Sequence, residues 1–422
     1  MIAKVQRLIK VGLAFGLSKS TVFFVPLLLS NFLSPADYGL FESCLAYGSL
    51  IAIILGCGLV AAVPYFMMVK KTESHNGWFY LHAAVLFIPL MVAIPLFAFK
   101  WIGSEIFLIL TFAAVINWQR IYAADMKSRG NASYSSFSES FIYLAILVVA
   151  LISLEKISIR QLSMDLVTIF IPMSLVLTML MLRRYPIKIA NWRSAREIYL
   201  FSLPTILPGM SLLLITSLVR LVAPFMVGAE KLAVYSFYFR FASIAVVVYQ
   251  FLATIFFAEM YKRDAAGLDN IFTKVGLLIL ALAVSGFFVF PSVFSGVFKL
   301  FSTYKDYWVL YLVLVFFCYF WVCEAMLESI IFRQKLSKGF LWLQLGSLLI
   351  FCIVTGAIYV INKSLMNITT LAFLHTMLMA MVVMLQLRLL SMSGINLVWL
   401  RRCNWIVSLI LLIGYPLVSF FS

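Results

Sequence analysis

The chain has 422 residues, 64% of them hydrophobic and only 11% charged, with a formal net charge of +16. That leaves too little polar surface to clothe a soluble globule, which excludes a water-soluble enzyme and makes a bilayer the natural solvent. The apolar runs lack the alternation of membrane-barrel strands, so the reading is all-α and polytopic, with helices that satisfy their own backbone groups.

Apolar windows long enough to cross about 30 Å of hydrocarbon recur along the whole chain. In order they lie near 8–30, 41–66, 78–99, 105–124, 138–154 and 163–182, then 199–222, 232–257, 272–296, 307–332, 341–361 and 365–387. A last run, Trp405 to Phe421, reads either as a thirteenth span or as a shallow anchor. The longest polar connection, Arg183 to Glu197, is too short for an extramembrane domain and reads as a basic linker between halves. The expected division is a six-helix bundle over 1–190, a second over 191–390 and a hydrophobic segment over 391–422.

Charge supplies an orientation. Alternate loops starting from the amino end carry 21 basic residues and the opposite loops carry 8, so the positive-inside rule puts the amino terminus in the cytoplasm. Topology and anionic lipid heads thus account for most of the positive charge, and nucleic acid is not needed as a partner. Three of the 32 bases remain: Lys19, Arg240 and Lys274.

The six cysteines lack metal spacing and read as small apolar packers, the three histidines are far apart, and no Gly-rich phosphate loop occurs. No metal or cofactor is expected, which leaves a proton or sodium gradient as the source of any coupling. A weak internal echo links Leu33–Phe41, after the first span, with Gly228–Tyr235, after the seventh: each has a short turn, an acid and a small residue opening a helix. Two halves starting from the same side would be parallel repeats, with the site between them.

The basic start, the segment Leu33-Ser34-Pro35-Ala36-Asp37-Tyr38-Gly39 and the helix ending in Gly56-Cys57-Gly58-Leu59-Val60 resemble the opening of Wzx-type polysaccharide-lipid flippases. These belong to the MOP exporter superfamily, with the MATE drug exporters and lipid II flippases. The resemblance implies a MATE-like bundle pair in the bacterial inner membrane. It implies a cargo of undecaprenyl-pyrophosphate-linked oligosaccharide, such as an O-antigen repeat unit of lipopolysaccharide biosynthesis. Besides membrane lipids, the implied partners are the polysaccharide polymerase and chain-length regulator of the same pathway. The rival readings are a membrane polymerase or glycosyltransferase, a multidrug exporter and a lipid II exporter. A drug exporter would want acids in the amino-terminal bundle, where the first span offers a lysine.

The embedded charges are the candidate site. Lys19 lies about eleven residues into its span, roughly 16 Å deep, where a charge costs at least about 2.5 kcal/mol and seeks a partner or a wet cavity. It reads as part of a cationic lumen or as a snorkelling side chain. Arg240 is the second lumen candidate, or one member of an ion pair. Arg220 and Lys274 extend a basic path or anchor the interface. Glu324 and Glu328 share one helix face and suit either ion coupling or a structural pair. A lone His375 reads as a hydrogen-bonded packing residue. Gly12, Gly16 and Pro26 in the first span, with Pro204 and Pro208 in the seventh, are the expected hinges.

Overall fold

The computed structural model describes residues 2–421 apart from 71–75, 154–156, 185–191 and 295–304. Helices dominate, and no strand occurs among the described residues. The first is α1 (Ile2–Leu29), followed by a tight turn and α2 (Pro35–Leu55). Ser34 caps α2 by accepting the Asp37 N–H, Pro35 opens the helix, and Asp37 sits in its first turn where an anion complements the dipole. The expected second span, 41–66, is not continuous. It breaks at Gly56–Gly58, then resumes as α3 (Leu59–Pro64), which ends in a π-helical turn over Tyr65–Val69.

Next come α4 (Asn76–Val85) and α5 (Phe87–Ala98), then α6 (Ser104–Ser128). The fifth span is α7 (Ala132–Glu139) and α8 (Phe141–Ser153), bent by 53° at Ser140. Helix α9 (Ile159–Arg184) follows, then α10 (Trp192–Ser202) and α11 (Ile206–Met226), separated by a 3-10 turn over Leu203–Thr205. The remaining helices are α12 (Ala229–Lys262), α13 (Ala265–Phe294), α14 (Trp308–Arg333), α15 (Ser337–Ile361), α16 (Ile368–Met392) and α17 (Val398–Phe421).

Among the described residues, eleven helices are long and apolar enough to cross a membrane, and the bent pair α7–α8 makes a twelfth if it is one span. One of the eleven is Val398–Pro416, so the carboxyl-terminal run belongs to a full-length helix.

The chain divides into two compact units, Met1–Met210 and Ser211–Ser422. The boundary expected at residue 190 falls outside the described residues. Residues 398–421 belong to the second unit, where α17 packs on α13, α14 and α16. The two units, each taken alone, use one neighbour scheme. In the first, α2 packs on α6, α5 on α6, α6 on α9, and α8 on α9. In the second, the corresponding pairs are α12 on α14, α13 on α14, α14 on α16, and α15 on α16. The first helix of each meets the fifth through a serine hydroxyl: Ser18 donates to the Ser136 carbonyl, and Ser211 donates to Gln344 Oε1 at 2.7 Å.

Candidate functional site

Small residues open space at the end of α2, where Ser49, Ala52 and the C-capping Gly56 recur at helical spacing beside Ile53. Opposite them α6 presents Asn117, Arg120, Ala124 and Lys127, again on one stripe. With α1, α3, the α7–α8 bend and the start of α11, these helices surround a cavity of about 650 Å³ in the first unit. Its charged lining is Lys19, Arg120, Lys127 and Glu139, three cations against one carboxylate. Between Asn117 and Lys127 the polar stripe covers about 15 Å of α6 at the helical rise.

Lys19 Nζ lies 3.4 Å from Glu139 Oε2, with side-chain exposures of 22% and 46%. The ammonium also sits 5.6 Å from the Phe15 ring centre. Glu139 is carried into the cavity by the bend. The interrupted backbone there is held by buried Gln119, whose Nε2 donates to the Glu139 carbonyl at 3.3 Å and whose Oε1 accepts the Ile142 N–H at 3.4 Å. Beyond the stripe, Asp125 is 2% exposed and accepts from Tyr80 at 2.6 Å and from Arg129 Nε at 2.8 Å. Arg129 therefore has a buried counter-charge, whereas Arg120 and Lys127 line open space.

At the other end of the cavity two helix interruptions meet. Gly58 adopts φ +70°, and a side chain there would lie 2.2 Å from the Ser202 carbonyl oxygen and 2.3 Å from Thr205 Oγ1. Glycine is thus required by both backbone and space. His82 ties the same region together: Nε2 meets the Leu55 carbonyl and Nδ1 meets the Tyr199 hydroxyl, each at 2.8 Å. The last turn of α2 is thereby satisfied despite the break.

The charge count places Arg120 and Lys127 in a loop, although the apolar window 105–124 already includes Arg120; α6 continues to Ser128 and carries both. The signal that exposes them is Asn117, Arg120 and Lys127 on one stripe of α6. Glu139, overlooked at the edge of the fifth span, supplies the acid that the first span lacks.

The other predicted cations lie in the second unit, and none lines this cavity. Arg220, half-buried on α11, donates to Ser217 Oγ at 2.9 Å and lies 5.2 Å from the Phe239 ring centre. Arg240 is buried in α12, and Lys274 is exposed on α13. Glu324 is buried on α14, accepting from Gln386 Nε2 at 3.3 Å, while Glu328 one turn later is half-buried. Glu324 Oε2 has no hydrogen-bond partner among the described residues. His375 is fully enclosed: Nε2 donates to the Ile215 carbonyl at 2.6 Å, Tyr235 donates to Nδ1 at 3.3 Å, and the Phe317 ring lies tilted with its centre 4.4 Å away.

The expected hinges separate in the same way. Gly12, Gly16 and Pro26 do not interrupt α1, which runs unbroken for 28 residues. Glycine and proline are tolerated within membrane helices, whose neighbours and side chains re-satisfy the backbone. Pro204 does sit in a break, the 3-10 turn between α10 and α11, and Pro208 lies in the first turn of α11.

This arrangement of helices has a solved counterpart. A multidrug resistance MATE family transporter of the MOP superfamily, in an inward-facing conformation, matches with a TM-score of 0.55. The match covers 94% of this chain and 95% of that one, at 14% sequence identity. Such a likeness shows the fold, an all-α polytopic MATE-like architecture. No protein-family model and no curated protein matches the sequence.

Proposed function

We propose that this chain is an inner-membrane transporter of the MOP type that carries an undecaprenyl-pyrophosphate-linked oligosaccharide from the cytoplasmic to the periplasmic leaflet by alternating access. One observation carries the reading: a cavity of about 650 Å³ within apolar helices, lined by Lys19, Arg120 and Lys127. In a low-dielectric enclosure their field is poorly screened and attracts a phosphorylated headgroup. Arginine adds planar, paired donors that match phosphate oxygens. The polyprenyl tail stays in the bilayer while the polar head occupies the cavity. The excess of basic residues in alternate loops supports a cytoplasmic amino terminus.

Glu139 favours a second reading, a multidrug exporter for organic cations, because it puts an acid in the lining of the cavity. Its carboxylate already faces Lys19, and the lining cations outnumber it, so an anion is the better-matched cargo. A polymerase reading gains no support from the cavity, which holds no pair of carboxylates. Glu324 and Glu328 are the proposed site for proton or sodium coupling, with Arg220 and Arg240 as basic positions within the second unit.

The test is a leaflet assay in proteoliposomes with lipid-linked oligosaccharide. Lys19→Met and Arg120→Met each remove a charge-assisted contact and should slow translocation roughly tenfold while the protein still inserts. Wild-type rates in both variants would overturn the reading; sugar transfer by the purified protein would replace it with the polymerase.

A further inference from the structure

Glu139 is electrostatically misplaced in its own helix. It is the last residue of α7, the end where the helix dipole disfavours an anion. Its ion-pair partner comes instead from α1, 120 residues away in sequence, and it lies within electrostatic reach of Arg120 as well. A fully buried pair would be locked by the cost of separating its charges. This one is partly exposed to the cavity and separated by 3.4 Å, the kind of contact that exchanges readily. The backbone beneath it is fixed independently, because Gln119 bonds the Glu139 carbonyl and the Ile142 N–H on either side of the bend. The carboxylate is free to turn away without undoing the helix.

We propose that Glu139 is a built-in competitor for the cargo's phosphate: its carboxylate holds Lys19 until an anionic headgroup displaces it. This rests on the reading that the cavity binds a pyrophosphate group. The device sets specificity. A ligand displaces Glu139 only if it brings oxygen acceptors that satisfy Lys19 at least as well as a carboxylate does, which a diphosphate can and a neutral glycolipid cannot.

The experiment is a binding titration of inorganic pyrophosphate against the purified full-length chain, comparing wild type, Glu139→Gln, Lys19→Met and the double variant. Removing the competitor should tighten binding roughly fivefold, near the ceiling for a partly exposed pair. Lys19→Met should weaken binding, and in that background the gain from Glu139→Gln should shrink to less than about twofold, because the two residues act on each other. If Glu139→Gln binds no tighter while Lys19→Met still binds more weakly, the competitor role is overturned and the cationic site stands. If Lys19→Met binds as wild type does, the site itself fails and the competitor with it. Should Glu139→Gln not fold, Glu139→Asp, one methylene shorter, should give a smaller gain, and no gain would overturn the proposal.

Discussion

Asp269 and Leu400 are 131 residues apart in sequence, yet Asp269 Oδ1 accepts the Leu400 N–H at 2.9 Å. Oδ2 accepts the Trp399 N–H at the same distance, so one buried carboxylate on α13 caps the start of α17. Asp269→Ala should cost about 1–3 kcal/mol of stability by leaving those donors unpaired. Hydrogen exchange at residues 398–401 should rise, and the charges lining the first-unit cavity are untouched. Unchanged protection there would mean that α17 is held by packing alone.

Two glycines give opposite expectations. Gly58→Ala forces a side chain onto the Ser202 carbonyl at a positive φ and should destabilise the chain by more than about 2 kcal/mol. Gly16→Ala meets nothing within 4 Å and should stay within about 0.5 kcal/mol of wild type. Detergent unfolding midpoints for the pair provide the check.

The cations should not be equivalent. Lys127→Met, at the wall of the cavity, should slow translocation several-fold, between the loss at Arg120 and none. Lys274→Met, on an exposed face of α13, should leave the rate unchanged. Equal losses at both positions would mean that overall positive charge, rather than the lining, attracts the cargo.

Glu324→Gln keeps an oxygen that can accept from Gln386 Nε2, so insertion and folding should persist. If this carboxyl exchanges a proton during transport, the variant should lose the response of translocation to an imposed pH gradient. A retained response would move the coupling elsewhere.

Gln119→Leu removes both side-chain bonds at the α7–α8 bend and should destabilise the first unit by about 1–3 kcal/mol. Because Glu139 loses its fixed base, its pairing with Lys19 should weaken too. A double-mutant cycle between positions 119 and 139 measures that dependence.

Hydropathy made the helical class and most spans legible, because a run of apolar residues long enough to cross the bilayer leaves the backbone few alternatives. It could not show the breaks. Gly56–Gly58 interrupts α2 at the close approach of Ser202 and Thr205, a contact across almost 150 residues of chain, while Gly16 of α1 meets no such demand. The cavity was half legible. Lys19 stood out as a charge amid apolar residues, but Arg120 and Lys127 lay near an expected helix end, where a base is ordinarily read as a topology signal. Glu139 appears as a site residue only when α1 and α7 are brought side by side.

Helix α17 returns from α16 through a turn of five residues, Ser393–Leu397. If each of these two helices crosses the bilayer once, the turn and the far end of α17 face different compartments. A reporter enzyme inserted at the turn and one fused after Phe421 should then give opposite readings, with Arg401 and Arg402 on the turn's side.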